Sequence, residues 1–321
     1  DIQLELDRRM PGQSKYTTQR KETDKVEILS GLFNGVTTGT PISMLIPNVD
    51  AISKSYENFK DIYRPGHADL SYDEKYGIRD YRGGGRSSNR ETVGRVAAGA
   101  IAKKLLKAMK IKTFGFVQQI GNIKCEKINI NYIEKNSLRI ADKGKFDEMA
   151  NLIDSVRKSG DSIGGVIEVR STGMPAGLGS PVFEKLDARL SSAIMGIGGV
   201  RGFEIGLGFQ VASMKGSEVN DIMVGKSKGK VKFRTNNAGG ILGGISNGND
   251  LILRFALKPT SSISQKQDSI DNKGKQKKLQ VKGRHDPCLC PRAVPIAEAM
   301  VNLVLLDCIL ENNLSTVKKI T

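Results

Sequence analysis

The feature that most constrains this chain is a long apolar stretch near its end, RAVPIAEAMVNLVLLDCILEN at residues 292–312. Its spacing predicts a helix that is apolar on nearly every face and should therefore be deeply buried. Elsewhere, strand-like and helix-like segments alternate. A strand, a glycine-rich segment and a long hydrophobic helix follow one another twice, at GGGRSS and more loosely at GRHDPC. The sequence therefore predicts a layered, pseudo-duplicated α+β fold.

Several other elements can be placed from their periodicity. KVEILSGLFNG and PISMLIPN predict a strand pair, and IKTFGFVQQIGNIK and GGVIEVRSTG predict further strands. Helices are predicted within FDEMANLIDSVRKSG and VFEKLDARLSSAIMGI, where apolar residues recur at helical spacing. Ser88 and Glu91 form an S-x-x-E capping box, which predicts that another helix begins at Ser88.

Residues 263–283 differ from the rest of the chain because they are polar, rich in lysine and nearly free of apolar residues. This composition predicts a mobile surface loop. The length of 321 residues suits one large domain or two ordinary ones. No apolar run reaches the roughly 20 residues that a membrane span needs.

The charge and composition narrow the possible functions. The formal net charge is +16, while aromatic residues make up only 5%. Nucleic-acid-binding proteins tend to cluster their cations and interleave aromatic residues. Here the lysines are spread along the chain and the arginines concentrate in glycine-rich loops. These features favour a small anionic ligand, with a nucleic-acid-binding protein as the alternative.

The chain has four cysteines, Cys125, Cys288, Cys290 and Cys308. That number is small for the length and suits a reducing compartment. Zinc sites need about four ligands. Because no second cysteine pair or histidine pair accompanies Cys288 and Cys290, the sequence does not predict a metal site.

The motif GGGRSSNRE, at residues 83–91, is a candidate anion site. Its glycines let the backbone approach a ligand, and the following helix offers free N–H groups and the positive end of its dipole. Arg86 and Arg90 add guanidinium forks suited to phosphate, and Ser87 and Ser88 add hydroxyls. The spacing is not that of a P-loop, which argues against a phosphotransferase. The alternative is a glycine turn before a capped helix, with solvated arginines.

Two titratable residues are candidates for proton transfer. His67 lies in RPGHAD beside Arg64 and Asp69. Nearby arginines should disfavour its imidazolium unless an anion is bound, so a bound anion would make His67 a proton donor. Asp286, in KGRHDPC, is either a general base or an N-cap for the final helix.

A second anion site is indicated at LKPTSS, where Lys258 and three hydroxyl residues follow a predicted strand. NNAGGILGGISNG precedes it with four glycines in two pairs. Two anion sites, several glycine-rich loops, an imidazole and a carboxylate imply one pocket. That pocket would hold a bulky phosphate-bearing ligand or two ligands.

In this order, the motifs resemble those of chorismate synthase. The resemblance is carried by RPGHAD, YGIRDYRGGGRSSNRE, NNAGGILGGISNG, LKPTSS and KGRHDPC followed by RAVPIAEAM, and it extends from LDRRMPGQSKYTTQR to the last helix. It implies one domain over residues 1–321, a β-α-β sandwich with a helical core between antiparallel sheets. It also implies conversion of 5-enolpyruvylshikimate 3-phosphate to chorismate and phosphate. The reaction would be a 1,4-anti elimination with reduced FMN as cofactor and no net redox change.

The resemblance further implies a cytoplasmic homotetramer without nucleic-acid or membrane partners, and it assigns roles to residues. His67 would stabilise the anionic reduced flavin, and Asp286 would assist the proton balance near it. The expected flavin contacts are Arg86, Ser87, Ser88, Gly198, Gly199, Gly243, Lys258, Pro259, Thr260, Ser261, Ser262 and Arg284. The residues expected at the substrate's phosphate and carboxylates are Arg9, Lys15, Arg64 and Arg90, with Arg284 shared.

The sequence departs from the family pattern in three places. Gly198 and Gly199 replace a usual Asn-Ala, and Lys15 stands where arginine is common, so we expect altered affinities. The family's N-terminal GESHG motif, with a second active-site histidine, is absent, and the chain begins at Asp1. We therefore expect a longer natural protein whose start, including any targeting peptide, is missing. A chain that truly began here should bind flavin but turn over poorly.

The sequence also bears on how the flavin would be reduced. In the family, reduction by NAD(P)H on the same chain is associated with extra segments. No flavin-reductase segment is recognisable in this sequence, which favours an outside reductant.

Overall fold

The computed structural model describes residues 1–315 apart from 19, 21, 50–52, 83–84, 228–229 and 282–284. The helices in this part are α1 (Ile2–Arg9), α2 (Asp69–Tyr76), α3 (Thr92–Ala108), α4 (Phe146–Lys158), α5 (Leu186–Met195), α6 (Gly216–Val219) and α7 (Cys290–Asn313). The first strands are β1 (Glu27–Ile28), β2 (Leu32–Phe33), β3 (Val36–Thr37), β4 (Met44–Leu45), β5 (Lys112–Ile120), β6 (Ile123–Lys124) and β7 (Gly165–Thr172). They are followed by β8 (Val200–Ile205), β9 (Met223–Ser227), β10 (Lys230–Phe233), β11 (Ile241–Leu242), β12 (Ile245–Ser246), β13 (Leu251–Leu257), β14 (Lys266–Ile270) and β15 (Gln276–Gln280).

The main sheet of the described residues has five strands in the order β6-β5-β7-β13-β8. All neighbouring strands in it are antiparallel. The other strands form two-stranded ribbons, including the predicted pair β1–β4. Helices pack against this sheet, so the predicted α+β class is confirmed.

Helix α7 lies at the centre of the molecule, as its apolar sequence predicted. It packs against β5 and β7 of the sheet and against α1, α3 and α5. The contact with α3 is very close, because a Cβ built on Gly99 would stand 2.4 Å from the Cβ of Ala299. By length and mean hydropathy α7 could also cross a membrane, which the sequence prediction had missed, but 72% of its most apolar window is buried inside the fold. It is a core helix.

The start of α3 follows the predicted cap only in part. The Ser88 hydroxyl accepts a hydrogen bond from the backbone N–H of Arg90 at 3.3 Å, and the first turn, Asn89–Glu91, is a 3-10 helix. The Glu91 carboxylate does not return to Ser88 but accepts a bond from Arg95 Nε at 2.9 Å. The prediction of a helix beginning here is confirmed, whereas the reciprocal half of the capping box was wrong.

The lysine-rich segment predicted as a loop contains a β-hairpin instead. Strands β14 and β15 pair antiparallel over five residues each. Leu279 and Val281 are buried against Phe59 in a small apolar cluster, and the lysines of β15 stay exposed. The prediction of a loop was therefore wrong on secondary structure. A few apolar residues are enough to stabilise this hairpin, because Phe59 from an earlier part of the chain covers them.

Candidate active site

A cavity of about 510 Å³ opens where loops from distant parts of the chain meet. Six loops line it. They are the loop after α1, the loops before α2, α3, α7 and β8, and the loop after β13. Most of the residues that the sequence analysis singled out line it together. They are Arg9, Arg64, His67, Arg86, Ser87, Ser88, Arg90, Gly198, Gly199, Lys258, Pro259, Thr260, Ser261, Ser262 and Asp286.

His67 is held in this wall by a buried ion pair. Arg64 donates to Asp69 from Nε and Nη2, at 2.8 Å each. The His67 Nδ1 atom lies 3.0 Å from Asp69 Oδ1. The Nη2 atom of Arg64 lies 3.1 Å from the same Nδ1, so the carboxylate and the guanidinium together orient the ring.

The charge of Asp69 is fixed by its partners. Burial alone would raise the pKa of this carboxyl, but the hydrogen bonds from Arg64 and His67 outweigh burial and hold the pKa well below its ordinary value. Asp69 therefore stays ionised and keeps the His67 ring oriented.

Asp286 is anchored inside the cavity wall and does not cap a helix. Its Oδ1 accepts a hydrogen bond from the backbone N–H of Thr18 at 2.9 Å, and its Oδ2 accepts from Arg292 Nη1 at 2.7 Å. Helix α7 begins at Cys290 with Leu289 as N-cap and without a side-chain cap. The capping alternative from the sequence analysis is therefore wrong.

His285 also lines the cavity, although no role for it is predicted from the sequence. Its Nε2 is buried and has no hydrogen-bond partner within the part of the chain that the structure describes. Burial, followed by the charges of Arg20 and Arg64, lowers the pKa of His285 to about 4. The ring is therefore neutral near pH 7.

Three cations of the cavity are available to an anionic ligand. Arg86, in a short 3-10 turn before α3, and Arg201 in β8 have no ion-pair or hydrogen-bond partner among the residues described here. Within the described part of the chain, Lys258, just after β13, donates only to the carbonyl oxygen of Gly66. Burial and the nearby charge of Arg201 lower the pKa of Lys258.

Other cavity arginines are already paired. Arg9 is buried and donates from Nη1 to Asp24 at 2.7 Å. Arg90 donates to Asp24 and to Glu22, the latter at 2.6 Å. Like Arg64, these arginines form part of the cavity wall and add positive charge to it, but their guanidinium groups are already bound to carboxylates in this structure.

Glycines bring the backbone segments close together. A Cβ built on Gly198 would stand 2.9 Å from Asn89 Oδ1, so glycine lets the loop before β8 approach the turn before α3. Gly199 has a φ of +92°, in the region that glycine favours. Here the glycines set the width of the cavity.

Two predicted site residues that the structure describes do not line the cavity. Gly243 lies in the tight turn between β11 and β12 with a φ of +59°. The exposed ammonium of Lys15 forms an ion pair with Asp154 at 2.8 Å. The structure does not bring either residue to this cavity. Arg284 lies outside the described residues.

Several lining residues were not predicted. Besides His285, they include Arg20, Tyr56, Arg95, Arg201 and Arg292. His285, Arg20 and Arg292 stand inside the segments KGRHDPC, LDRRMPGQSKYTTQR and RAVPIAEAM, and Arg201 follows Gly198 and Gly199 closely, so their positions could have indicated the site. Tyr56 and Arg95 come from segments without such a motif.

Comparison with known proteins gives consistent matches over nearly the whole chain. Residues 1–310 match the sequence model of the family described as Chorismate synthase. A chorismate synthase of Archaeoglobus fulgidus is 54% identical over 318 residues, covering 98% of this chain and 88% of that protein. One from Francisella tularensis subsp. novicida is 56% identical over 307 residues, covering 96% and 86%. A solved structure entitled "Crystal Structure of Chorismate Synthase" superposes with a TM-score of 0.76 at 34% identity, covering 97% of this chain and 82% of that one.

Proposed function

Because the chain belongs to the chorismate synthase family, whose members are lyases that eliminate phosphate from 5-enolpyruvylshikimate 3-phosphate, we propose that its basic cavity is the site of that elimination and that reduced FMN binds there beside the substrate. The observation that carries the proposal is the convergence of six distant loops on one cavity, whose lining has nine arginines and lysines against three carboxylates. The finer features, a 1,4-anti course and no net redox change, are part of the proposal.

The charge of the cavity matches the proposed substrate. A ligand with a phosphate and two carboxylates can leave water only if cations replace its hydration. Arg86, Arg201 and Lys258 have no acidic partner among the described residues, so they would bind these groups directly. The paired Arg9 and Arg90 would attract the substrate through the electrostatic field of the cavity wall, or would exchange their carboxylate partners for the substrate when it binds.

The polar groups of the cavity fit a flavin. Thr260 Oγ1 and His285 Nε2 are buried atoms without a hydrogen-bond partner among the described residues, and each could bind the heteroatom-rich edge of a flat cofactor. Arg86, Ser87 and Ser88, ahead of α3, suit its phosphate. The volume of about 510 Å³ lies in the usual range for cofactor and ligand pockets. Reduced FMN, when bound, would lend electron density to the breaking C–O bond.

His67 and Asp286 would control charge and protons. His67 is oriented through Nδ1 by Asp69 and Arg64, and its ring would stabilise negative charge on the bound flavin. Asp286 is oriented by Thr18 and Arg292, and its position allows it to accept or return a proton. The cavity would work best when closed, because water would compete for the same charges.

An anaerobic assay with reduced FMN tests the proposed function. With the full-length natural protein we expect phosphate release with formation of chorismate, and His67→Ala should retain its fold while losing about 100-fold or more in kcat. Lys104→Ala, on the exposed face of α3, is the control and should be unchanged. A protein that binds neither flavin nor substrate would refute the function, whereas full activity in His67→Ala would remove only His67 from it.

The oligomeric state of the protein and the source of its reduced flavin are also part of the proposal. We expect a homotetramer in the cytoplasm that takes reduced flavin from an outside reductant. Light scattering on the eluted protein would measure the mass, and NADPH without added reductase should not support turnover. A monomeric enzyme with full activity would contradict the expected assembly.

A further inference from the structure

A second cavity, of about 470 Å³, lies away from the candidate active site and shares no lining residue with it. It is formed by the C-terminal ends of α1 and α3, the middle of α7, one edge of β5 and the 3-10 turn Ile130–Lys135. On that edge β6 pairs only with Gln119 and Ile120, so residues 112–115 have no strand neighbour there among the described residues. The cavity thus occupies the free edge of the main sheet.

The lining of this second cavity combines an apolar surface with a basic one. The apolar part is formed by Ile111, Phe114, Ile130 and Ile133. Five cations also line it, Arg8, Lys103, Lys107, Lys110 and Lys112, against two carboxylates, Glu134 and Glu298. Cations beside an apolar surface suit a ligand that is itself anionic at one end and apolar at the other.

The two carboxylates are already used within the protein. Arg8 donates to Glu298 at 2.6 Å and to Glu134 at 2.7 Å. Glu298 also accepts the backbone N–H of Gly115 at 2.8 Å. Lys107, Lys110 and Lys112 therefore have no ion-pair partner in the described part of the chain.

Asn302 supplies an independent sign of a ligand. Its side chain lies in the wall formed by α7 and is only 1% exposed, yet its Oδ1 has no hydrogen-bond partner among the described residues. Buried polar atoms without partners are rare, because burial strips them of water. A donor that enters the cavity would satisfy this oxygen.

We propose that this cavity binds a small organic anion with a flat apolar body and an N–H or O–H donor. The anionic group would lie among Lys107, Lys110 and Lys112, and the apolar body would lie against Phe114 and Ile133. The donor would reach Asn302 Oδ1. None of these residues belongs to the proposed active site, so the inference stands apart from the proposed function.

The probe for a test is 8-anilinonaphthalene-1-sulfonate, which has a sulfonate, aromatic rings and one N–H, and which fluoresces in apolar surroundings. We expect one saturable site per chain that a mixture of FMN and 5-enolpyruvylshikimate 3-phosphate does not displace. Lys107→Glu should weaken binding by about tenfold, because it reverses a charge beside the sulfonate. Asn302→Leu, which keeps the branching at Cγ, should weaken it by about fivefold through loss of the acceptor.

Lys104→Glu is the matched control, since it makes the same charge change on α3 outside the cavity lining. It should leave the dissociation constant within about twofold. Unchanged binding in both Lys107→Glu and Asn302→Leu would overturn the proposal. Equal weakening by Lys104→Glu, or displacement of the probe by the active-site ligands, would overturn it as well.

Discussion

The guanidinium of Arg64 and the carboxylate of Asp69 form a buried two-pronged ion pair, with Nε and Nη2 each 2.8 Å from a carboxylate oxygen. The same carboxylate lies 3.0 Å from Nδ1 of His67. One pair of residues therefore supports both the fold of the loop before α2 and the orientation of the candidate catalytic imidazole.

Replacing Asp69 by Asn should lower the free energy of unfolding by about 3 kcal/mol, because Arg64 would keep a buried charge without a counter-ion. Urea unfolding at pH 7 measures this. The control is Asp80→Asn, whose exposed pair with Arg82 should leave the free energy of unfolding almost unchanged. Equal effects of the two variants would contradict the role of burial.

The lowered pKa of Asp69 also determines how the free energy of unfolding changes in acid. The pair's stabilisation is fully present above the pKa of an unfolded aspartate, about 3.9, and is lost as the pH falls toward the lower folded value. The difference in unfolding free energy between wild type and Asp69→Asn should therefore shrink below about pH 4. A difference that stays constant into stronger acid would contradict this account.

His285 should destabilise the protein in weak acid. Its folded pKa of about 4 lies below the ordinary value, so the unfolded chain binds the proton first as the pH falls. Its neutral form contributes stability above about pH 6.5, and between pH 7 and pH 4.5 about 2 kcal/mol of unfolding free energy is lost through this group. Urea unfolding measures this: over the same pH interval, the unfolding free energy of His285→Gln should fall by about 2 kcal/mol less than that of the wild type. An equal loss in both proteins would contradict a buried neutral histidine.

Arg86 should bind ligand rather than support the fold, because it has no partner among the described residues. Arg86→Ala should weaken binding of the phosphate-bearing ligands by about 10- to 100-fold with little change in Tm. Anaerobic titration of reduced FMN and substrate measures the affinities. Arg82→Ala removes an exposed arginine that does not line the cavity, and it should leave them unchanged. A similar loss in both variants would indicate a general charge effect.

The close contact of α3 with α7 gives a test of the core. Gly99→Ala would drive a methyl group into Ala299, and we expect a loss of about 1–3 kcal/mol in the free energy of unfolding. Gly94→Ala lies on the same helix with nothing within 4 Å, and it should instead stabilise by up to about 1 kcal/mol. Differential scanning calorimetry of the two variants separates packing from helix propensity. Destabilisation of equal size in both would contradict the packing argument.

The sequence predicted the elements whose signal is local and strong. The apolar stretch of α7, the periodicity of α4 and the cap at Ser88 each depend on residues that are neighbours in the chain. The hairpin β14–β15 could not be predicted in this way, because its apolar residues Leu279 and Val281 are buried by Phe59, about two hundred residues earlier.

The residues of the candidate site also differ in whether their signal in the sequence is local. Motif residues such as His67, Arg86 and Lys258 were found because glycines and charges mark their loops. The pairing of Arg9 and Arg90 with Asp24 was not predictable, because it depends on three segments meeting in space. The same holds for Lys15, which forms its ion pair with α4 rather than with the cavity.

The central claim, that one cavity holds flavin and substrate together, is tested most directly by the absorbance spectrum of reduced FMN bound anaerobically to the protein, before and after 5-enolpyruvylshikimate 3-phosphate is added. We predict that the substrate changes the spectrum of the bound flavin, and that the change is lost in the double variant Arg86→Ala, Lys258→Ala. A spectrum that the substrate leaves unaltered, or a change that survives in the double variant, would contradict the claim.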